Sequence, residues 1–351
     1  MNPEELLTNI LLFQWGALFV VGIVYAFVSQ WIFRKRRKRE QGKTELIQWL
    51  EFVLRKEKMF IIKNLPRKYI RVSCMLPCIE QMDKIYMDQI RWRNLRSILI
   101  EEFLLLKARK MAYSHEYTQR MWAIRIFLLS PKQIDEEYIK ILLRDTVSII
   151  RHEAVMGAIR IGTKALVDQM IDAMSQEAYY ARFAYRDALS PAGEIIFHFI
   201  KERLTQEKDD GKRVCCWHLL AMREDPEIVS SVGQDHRSLN KELRIAVARA
   251  LGFCAQPEAV LMLLDLLKDG QWEVRAVAAK SLGRLKVTQS ITQLNEALKD
   301  QQWWVRINSA YALNNMGEEG KAVLKQQSAG IDRYAFDAAN FVLSHGEIKG
   351  V

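Results

Sequence analysis

The 351-residue chain predicts an all-α protein, an α-solenoid of about seven 31-residue repeats preceded by one N-terminal transmembrane helix. Three observations carry this. Half of the residues are hydrophobic while Gly (16) and Pro (7) are sparse, which suits packed helices and excludes disorder. An arginine followed by small and apolar residues recurs every 31 positions. Residues 10–33 contain no Asp, Glu, Lys or Arg.

That apolar run, "ILLFQWGALFVVGIVYAFVSQWIF", is about 36 Å long as a helix, enough to cross a ~30 Å hydrocarbon core with some tilt. Trp15 near one end, and Trp31 and Phe33 at the other, stand where interfacial aromatics belong. A cleavable signal peptide does not fit, because Glu4 and Glu5 precede the run and the basic block follows it. The block is Arg34, Lys35, Arg36, Arg37, Lys38 and Arg39, and residues 1–9 contain neither Lys nor Arg. By the positive-inside rule the N-terminal tail is outside and everything after residue 33 is cytoplasmic. The six cations also suit anionic lipid, at about 1 kcal/mol each near the surface, although a topogenic stop signal suffices to explain them. The five cysteines, odd in number and without paired CxxC spacing, fit a reducing compartment.

These features divide the chain into five segments. Residues 1–9 are a short non-cytoplasmic tail, 10–33 the transmembrane helix and 34–43 a basic juxtamembrane stretch. Residues 44–113 read as a divergent helical cap broken near Pro66 and Pro77, and 114–351 as the repeat solenoid with its own C-terminal cap. Residues 44–64 admit two placements, on the inner leaflet or packed as the cap. The basic excess is confined to the first third, since residues 121–351 carry 30 Lys/Arg against 30 Asp/Glu. The long C-terminal part therefore lacks the positive field that phosphate-backbone binding uses, and no nucleic-acid partner is expected.

The repeat is seen by aligning "LRIAVARALGFC", "VRAVAAKSLGRL" and "VRINSAYALNNM". Carried backward at the same spacing, the phase falls on arginine every time: Arg120, Arg151, Arg182, Arg213, Arg244, Arg275 and Arg306. Seven residues after each stand Phe127, Ala158, Leu189, Leu220, Leu251, Leu282 and Leu313, all apolar. At three and four residues after it the later rows are small, as in Val247 and Ala248, Ala278 and Ala279, Ser309 and Ala310. Offsets of 3, 4 and 7 define one helix face, and small residues there admit a second helix at close range. Pro191, Pro226 and Pro257 end the helices, so each repeat holds two short helices and two turns.

The pattern "VRxxAAxxLGxL" after an aspartate resembles HEAT repeats, and more closely the short HEAT-like repeats named after phycobilisome lyases. Residues 269–285 and 300–316 carry it best. The rows at Arg182 and Arg213 match less well, with Arg186 and Trp217 where small residues are expected. The resemblance implies a stacked solenoid over residues 114–351 and is nearly silent on chemistry, since such repeats serve scaffolds, carriers and a few enzymes.

A cation in the first turn of a helix opposes the macrodipole, so the arginine row is not there for helix stability. Six residues earlier the rows place Asp145, Glu207, Asp269 and Asp300 in the preceding turn. A ladder of arginines bonded to these carboxylates between neighbouring repeats is the expected structural role.

Candidate chemistry is thin. His152 and Glu153 form a ligand-type pair at a helix start, as in deoxyhypusine hydroxylases, yet a di-iron site of that kind needs four such pairs and only this row has one. The pair reads as two solvated residues. Cys215 and His218, three apart, lack a second ligand pair. No nucleophile motif, P-loop or dinucleotide fingerprint is present, and neither cofactor nor metal is expected. Three residues before the ladder position stand Tyr117, Tyr179, Trp272, Trp303 and Tyr334. Trp272, Trp303, Trp304 and Tyr334 are the candidate protein-binding edge; hydrophobic staples or packing between repeats are the plainer account. The expected function is noncatalytic: a membrane-anchored cytoplasmic scaffold or adaptor that holds a protein partner or membrane enzyme complex. The alternative is a HEAT-like enzyme, or a regulatory enzyme subunit, with a site on the concave face.

Overall fold

The computed structural model describes residues 3–55, 65, 69–221 and 223–346, with side chains from Gln14 onward except that of Pro226. Residues 56–64 and Pro66, where the sequence places part of the cap and a helix break, lie outside the described residues, as does the start of the N-terminal tail. Every regular element among the described residues is helical. The chain forms two compact units, Met1–Ser130 and Pro131–Val351.

The first unit is built on α1 (Pro3–Arg55), one unbroken helix about 80 Å long at 1.5 Å per residue. Its N-terminal portion is long and apolar enough to cross a membrane. There Trp15, Phe19, Tyr25, Phe27, Trp31 and Phe33 are all exposed, on every side of the helix. Past residue 44 the pattern changes to a single stripe. Leu46, Leu50 and Val53, spaced four and three apart, are buried as α1 meets α2 (Val72–Tyr86). The stripe of residues 44–55 is thus spent inside the protein.

Pro77 does not break a helix, contrary to the sequence expectation; it lies within α2. A proline there removes the N–H that would bond the carbonyl of residue 73. The Ser73 oxygen instead accepts a bond from Arg39 Nε of α1 at 3.0 Å, so the helix continues with that carbonyl satisfied from outside. After α2 come α3 (Ile90–Ile98), a π-helical turn (Leu99–Leu104), α4 (Leu105–Met111) and α5 (Tyr117–Leu129), the helix of Arg120. Asp83 of α2 accepts from Trp92 Nε1 at 2.8 Å and Arg96 Nε at 2.9 Å, pinning α3 to α2.

The second unit runs through α6 (Glu136–Leu143), α7 (Ser148–Ile161), α8 (Lys164–Ser175), α9 (Arg182–Ala188), α10 (Glu194–Gln206) and α11 (Asp210–Leu220). It continues with α12 (Lys241–Leu251), α13 (Pro257–Leu266), α14 (Trp272–Leu285), α15 (Ile291–Ala297), α16 (Trp303–Asn315), α17 (Gly317–Gln327) and α18 (Arg333–His345). The ladder arginines all sit in the first turns of their helices, and these helices stack in order, α11 on α12, α12 on α14, α14 on α16 and α16 on α18.

Every apolar residue seven places after a ladder arginine is buried, from Ala158 to Leu313. The small residues at three and four places let the helices close. At Gly283 a Cβ would stand 2.6 Å from the Ala312 Cα of the next ladder helix, so only glycine permits that approach. Two repeats depart from the pattern. Helix α9 has only seven residues and follows a 3₁₀ turn (Tyr179–Ala181), while two 3₁₀ turns (Pro226–Ser231 and Asp235–Arg237) replace the second helix after α11. Trp217, where a small residue is expected, fills the resulting space and donates Nε1 to Asp235 Oδ2 at 2.7 Å.

Candidate functional site

The regular rungs of the ladder have one geometry. Arg275 donates Nε and Nη2 to the two Asp300 oxygens at 2.7 and 3.0 Å, and Nη1 to the Asp269 carbonyl at 2.8 Å. Arg244 treats Asp269 and the Ser238 carbonyl in the same way, at 2.6, 2.9 and 2.6 Å. Each guanidinium thus closes its own turn and grips the carboxylate 25 residues ahead. That carboxylate also accepts the N–H two residues on: Asp300 from Gln302 and Asp269 from Gln271, both at 2.8 Å. Arg suits this double task because its planar fork presents separate donors to carboxylate and carbonyl.

The other rungs deviate where the 3₁₀ turns intervene. Arg151 pairs with Glu177 at 2.6 Å, and Arg213 with Asp235, which is three residues off the period. Arg182 donates only to carbonyls, those of Glu177 and Ser175, and Glu207, expected in the ladder, is held instead by Arg203 at 2.6 Å. Arg120 donates Nη1 to the Ser114 and His115 carbonyls, the same turn-closing bonds that Arg244 and Arg275 make. At the far end Arg306 keeps the carbonyl bonds, to Asp300 and Gln301, but its Nε is buried with no partner among the described residues. Its guanidinium lies over the Tyr334 ring at 4.6 Å and over Trp303 at 5.6 Å, so cation–π contacts stand where the other rungs have a carboxylate.

This arrangement locates the aromatic edge. Trp303 and Tyr334 flank Arg306, and Trp303 also meets Phe341 edge to face at 5.6 Å. Trp304 is exposed and Trp272 half-buried. Ile331, Phe336 and Leu343 extend the exposed apolar surface at this end. They fall outside the ladder phase, which is why periodicity alone did not single them out.

The cations of the basic block on α1 divide their contacts. Arg36, Lys38 and Arg39, with Tyr69, Arg71 and Trp122, line a cleft between α1 and the rest of the first unit. Lys35 Nζ lies 4.8 Å from the Trp31 ring, while Arg34 and Arg37 stay exposed on the helix.

His152 is not the solvated residue expected. It packs edge to face on Tyr185 at 5.5 Å, with Nε2 3.3 Å from Ser148 Oγ and 3.8 Å from the Glu177 carboxylate that Arg151 holds. It belongs to a rung of the ladder. Cys215 is fully buried and its thiol is pushed up to about 11 by burial. His218 is pushed down to about 3, first by burial and then by Arg249, Arg182 and Arg186. Among the described residues no three His, Cys, Asp or Glu side chains converge in a way that could hold a metal ion.

Sequence reasoning missed one constellation. Met174, Tyr179, Arg182, Phe183, Arg186, His218 and Arg249 line a small, partly open cleft on the second unit. Arg186 was visible only as a departure from the small-residue rule, and that departure was the available signal.

Stacked helix pairs, the 31-residue period and the carboxylate ladder define the class, an α-solenoid of HEAT-like repeats. In agreement, the family model for HEAT repeats matches residues 229–314 and 260–330. No curated protein sequence matches the chain. Similar solved structures include human deoxyhypusine hydroxylase in complex with glycerol (17% identity, 72% of this chain and 98% of that one, TM-score 0.30). The E. coli protein YibA is 16% identical over 70% of this chain and 94% of its own, with a TM-score of 0.39. An engineered protein is 17% identical over 80% and 91%, with a TM-score of 0.33. Likenesses of this size do not extend to chemistry.

Proposed function

We propose that the chain is a membrane-anchored, noncatalytic scaffold whose repeats hold a protein partner, or a membrane enzyme complex, at the cytoplasmic surface. The observation that carries this reading is the continuity of α1. One helix contains the apolar span and, without a break, the Leu46, Leu50 and Val53 stripe buried in the first unit. A folded body joined in this way to an apolar helix is held near the bilayer. The basic block from Arg34 to Arg39 orients the helix with its N-terminus outside, and suits anionic headgroups on the inner face. Stacked repeats supply an extended recognition surface, and the aromatic edge of Trp272, Trp303, Trp304 and Tyr334 is our candidate for part of it.

The test is purification of the full chain from detergent-solubilised membranes after crosslinking in intact cells. A protein recovered in near-stoichiometric amount with the full chain, and absent when only residues 1–43 are expressed, supports the scaffold. A full chain that purifies alone and turns over a substrate class without a second protein overturns it.

A further inference from the structure

The cleft on the second unit is the start of a longer feature. Arg182, Arg186 and Arg249 converge on it, and none of them forms an ion pair with a described carboxylate. Their contacts are of other kinds. Arg182 donates to carbonyls, Arg186 lies 4.8 Å from the Phe183 ring, and Arg249 Nη1 stands 3.2 Å from His218 Nε2. The row continues over the next ladder helix, where Lys280 and Arg284 also lack a described carboxylate and Arg284 lies 4.1 Å from the Phe253 ring. His218, Arg249 and Lys280 each stand five residues after a ladder arginine, on successive stacked helices; the next such position is Tyr311, which ends the charge. The ladder arginines Arg151, Arg213, Arg244 and Arg275, by contrast, are each paired with a carboxylate.

Half-buried guanidinium groups without counter-charge repel one another and gain from an anion placed among them. Burial, and then the like charges of Arg284 and Arg249, lowers the pKa of the half-buried Lys280 ammonium. We propose that this row binds an acidic, extended peptide segment of the protein partner, one carboxylate seated in the Arg182, Arg186 and Arg249 cleft and others against Lys280 and Arg284. The proposal rests on the scaffold reading. Helix spacings of 8–10 Å make the row about 25–30 Å long, the reach of eight or nine extended residues. A lone small anion would satisfy only the cleft. Nucleic acid is disfavoured because residues 121–351 carry equal numbers of acidic and basic side chains.

The experiment uses the full chain in detergent micelles and a fluorescent peptide of about ten residues, half of them glutamate, read by anisotropy. The expected result is saturable binding that weakens with salt and at least tenfold in Arg186→Gln and in Arg249→Gln, with helicity unchanged by circular dichroism. If Arg249→Gln fails to fold, Arg284→Gln, at an exposed position, carries the same expectation at severalfold. Exposed Arg237→Gln is the control and leaves binding unchanged. Three results overturn the proposal: peptide binding that survives these variants and is lost in Arg36→Gln/Arg37→Gln; displacement by inorganic phosphate as effective as by unlabelled peptide; or single-stranded RNA of equal length competing at lower concentration. If the crosslinked partner is retained by Arg249→Gln, the acidic segment is wrong while the scaffold stands.

Discussion

Arg39 Nε donates to the Ser73 carbonyl at 3.0 Å, and that oxygen is available because Pro77, four residues on, has no N–H to offer it. The bond joins the basic stretch of α1 to the body of the first unit. We expect Arg39→Ala to cost about 1 kcal/mol of stability, and clearly less in the Pro77→Ala background, where the new N–H bonds Ser73 in its place. A double-mutant cycle by denaturant unfolding measures the coupling. Equal losses in both backgrounds refute it.

Arg275→Ala is expected to destabilise by roughly 1–3 kcal/mol, because it leaves the Asp300 carboxylate half-paired in a little-exposed turn. Arg275→Lys recovers only part of this, since an ammonium cannot bridge carboxylate and carbonyl with the same fork. Thermal unfolding distinguishes the two variants, and full rescue by lysine contradicts the bidentate account.

His218 sets a pH dependence. Its imidazole is held at about 3 in the folded protein against an ordinary value of 6.5. Between those values the unfolded chain binds the proton and the folded one does not, so stability falls as pH drops through that window. Carboxylates contribute in the same range, so the informative quantity is the difference from His218→Gln. That variant loses less stability than the parent between pH 7 and pH 5, checked by unfolding at both. Parallel losses exclude a buried neutral imidazole.

Protease added to intact cells is expected to reach only the N-terminal tail, leaving a C-terminal tag protected until the membrane is opened. The asymmetry between the uncharged-by-cation tail and the Arg34 to Arg39 block drives this orientation. Digestion of the tag in sealed cells reverses the topology.

Replacing Trp304 by alanine tests the aromatic edge with the least structural cost, since it is exposed and distinct from the Trp303–Arg306–Tyr334 cluster. An interface anchor there loses about 2 kcal/mol of partner affinity with an unchanged melting temperature. In contrast, Tyr334→Ala lowers the melting temperature, because it uncovers a guanidinium with an unpartnered Nε.

The architecture was legible in the residues themselves, and for a physical reason. A repeat imposes the same packing on every row, so the arginines, the apolar residues from Phe127 to Leu313 and the small pairs before them report one geometry many times over. The apolar span of α1 was equally plain, because a long run without charge needs no partner to be recognised. The rows at Arg182 and Arg213 announced themselves only as mismatches. What replaced the regular turn there, 3₁₀ segments with Glu177 and Asp235 as off-register carboxylates, depends on contacts between residues 22 to 26 positions apart that no local pattern specifies.

Sequence alone therefore determined the helical class, the 31-residue period, the apolar helix and the carboxylate-paired arginines of the regular rungs. Only the tertiary structure decided that Pro77 sits inside a helix, that His152 packs on Tyr185, that Arg306 ends the ladder on aromatic rings, and that Arg186, Arg249 and His218 meet in one cleft. The first group follows from periodic burial, which is written locally and repeated. The second depends on which side chains neighbouring helices bring within a few ångströms, and stacking sets that choice after the helices have formed.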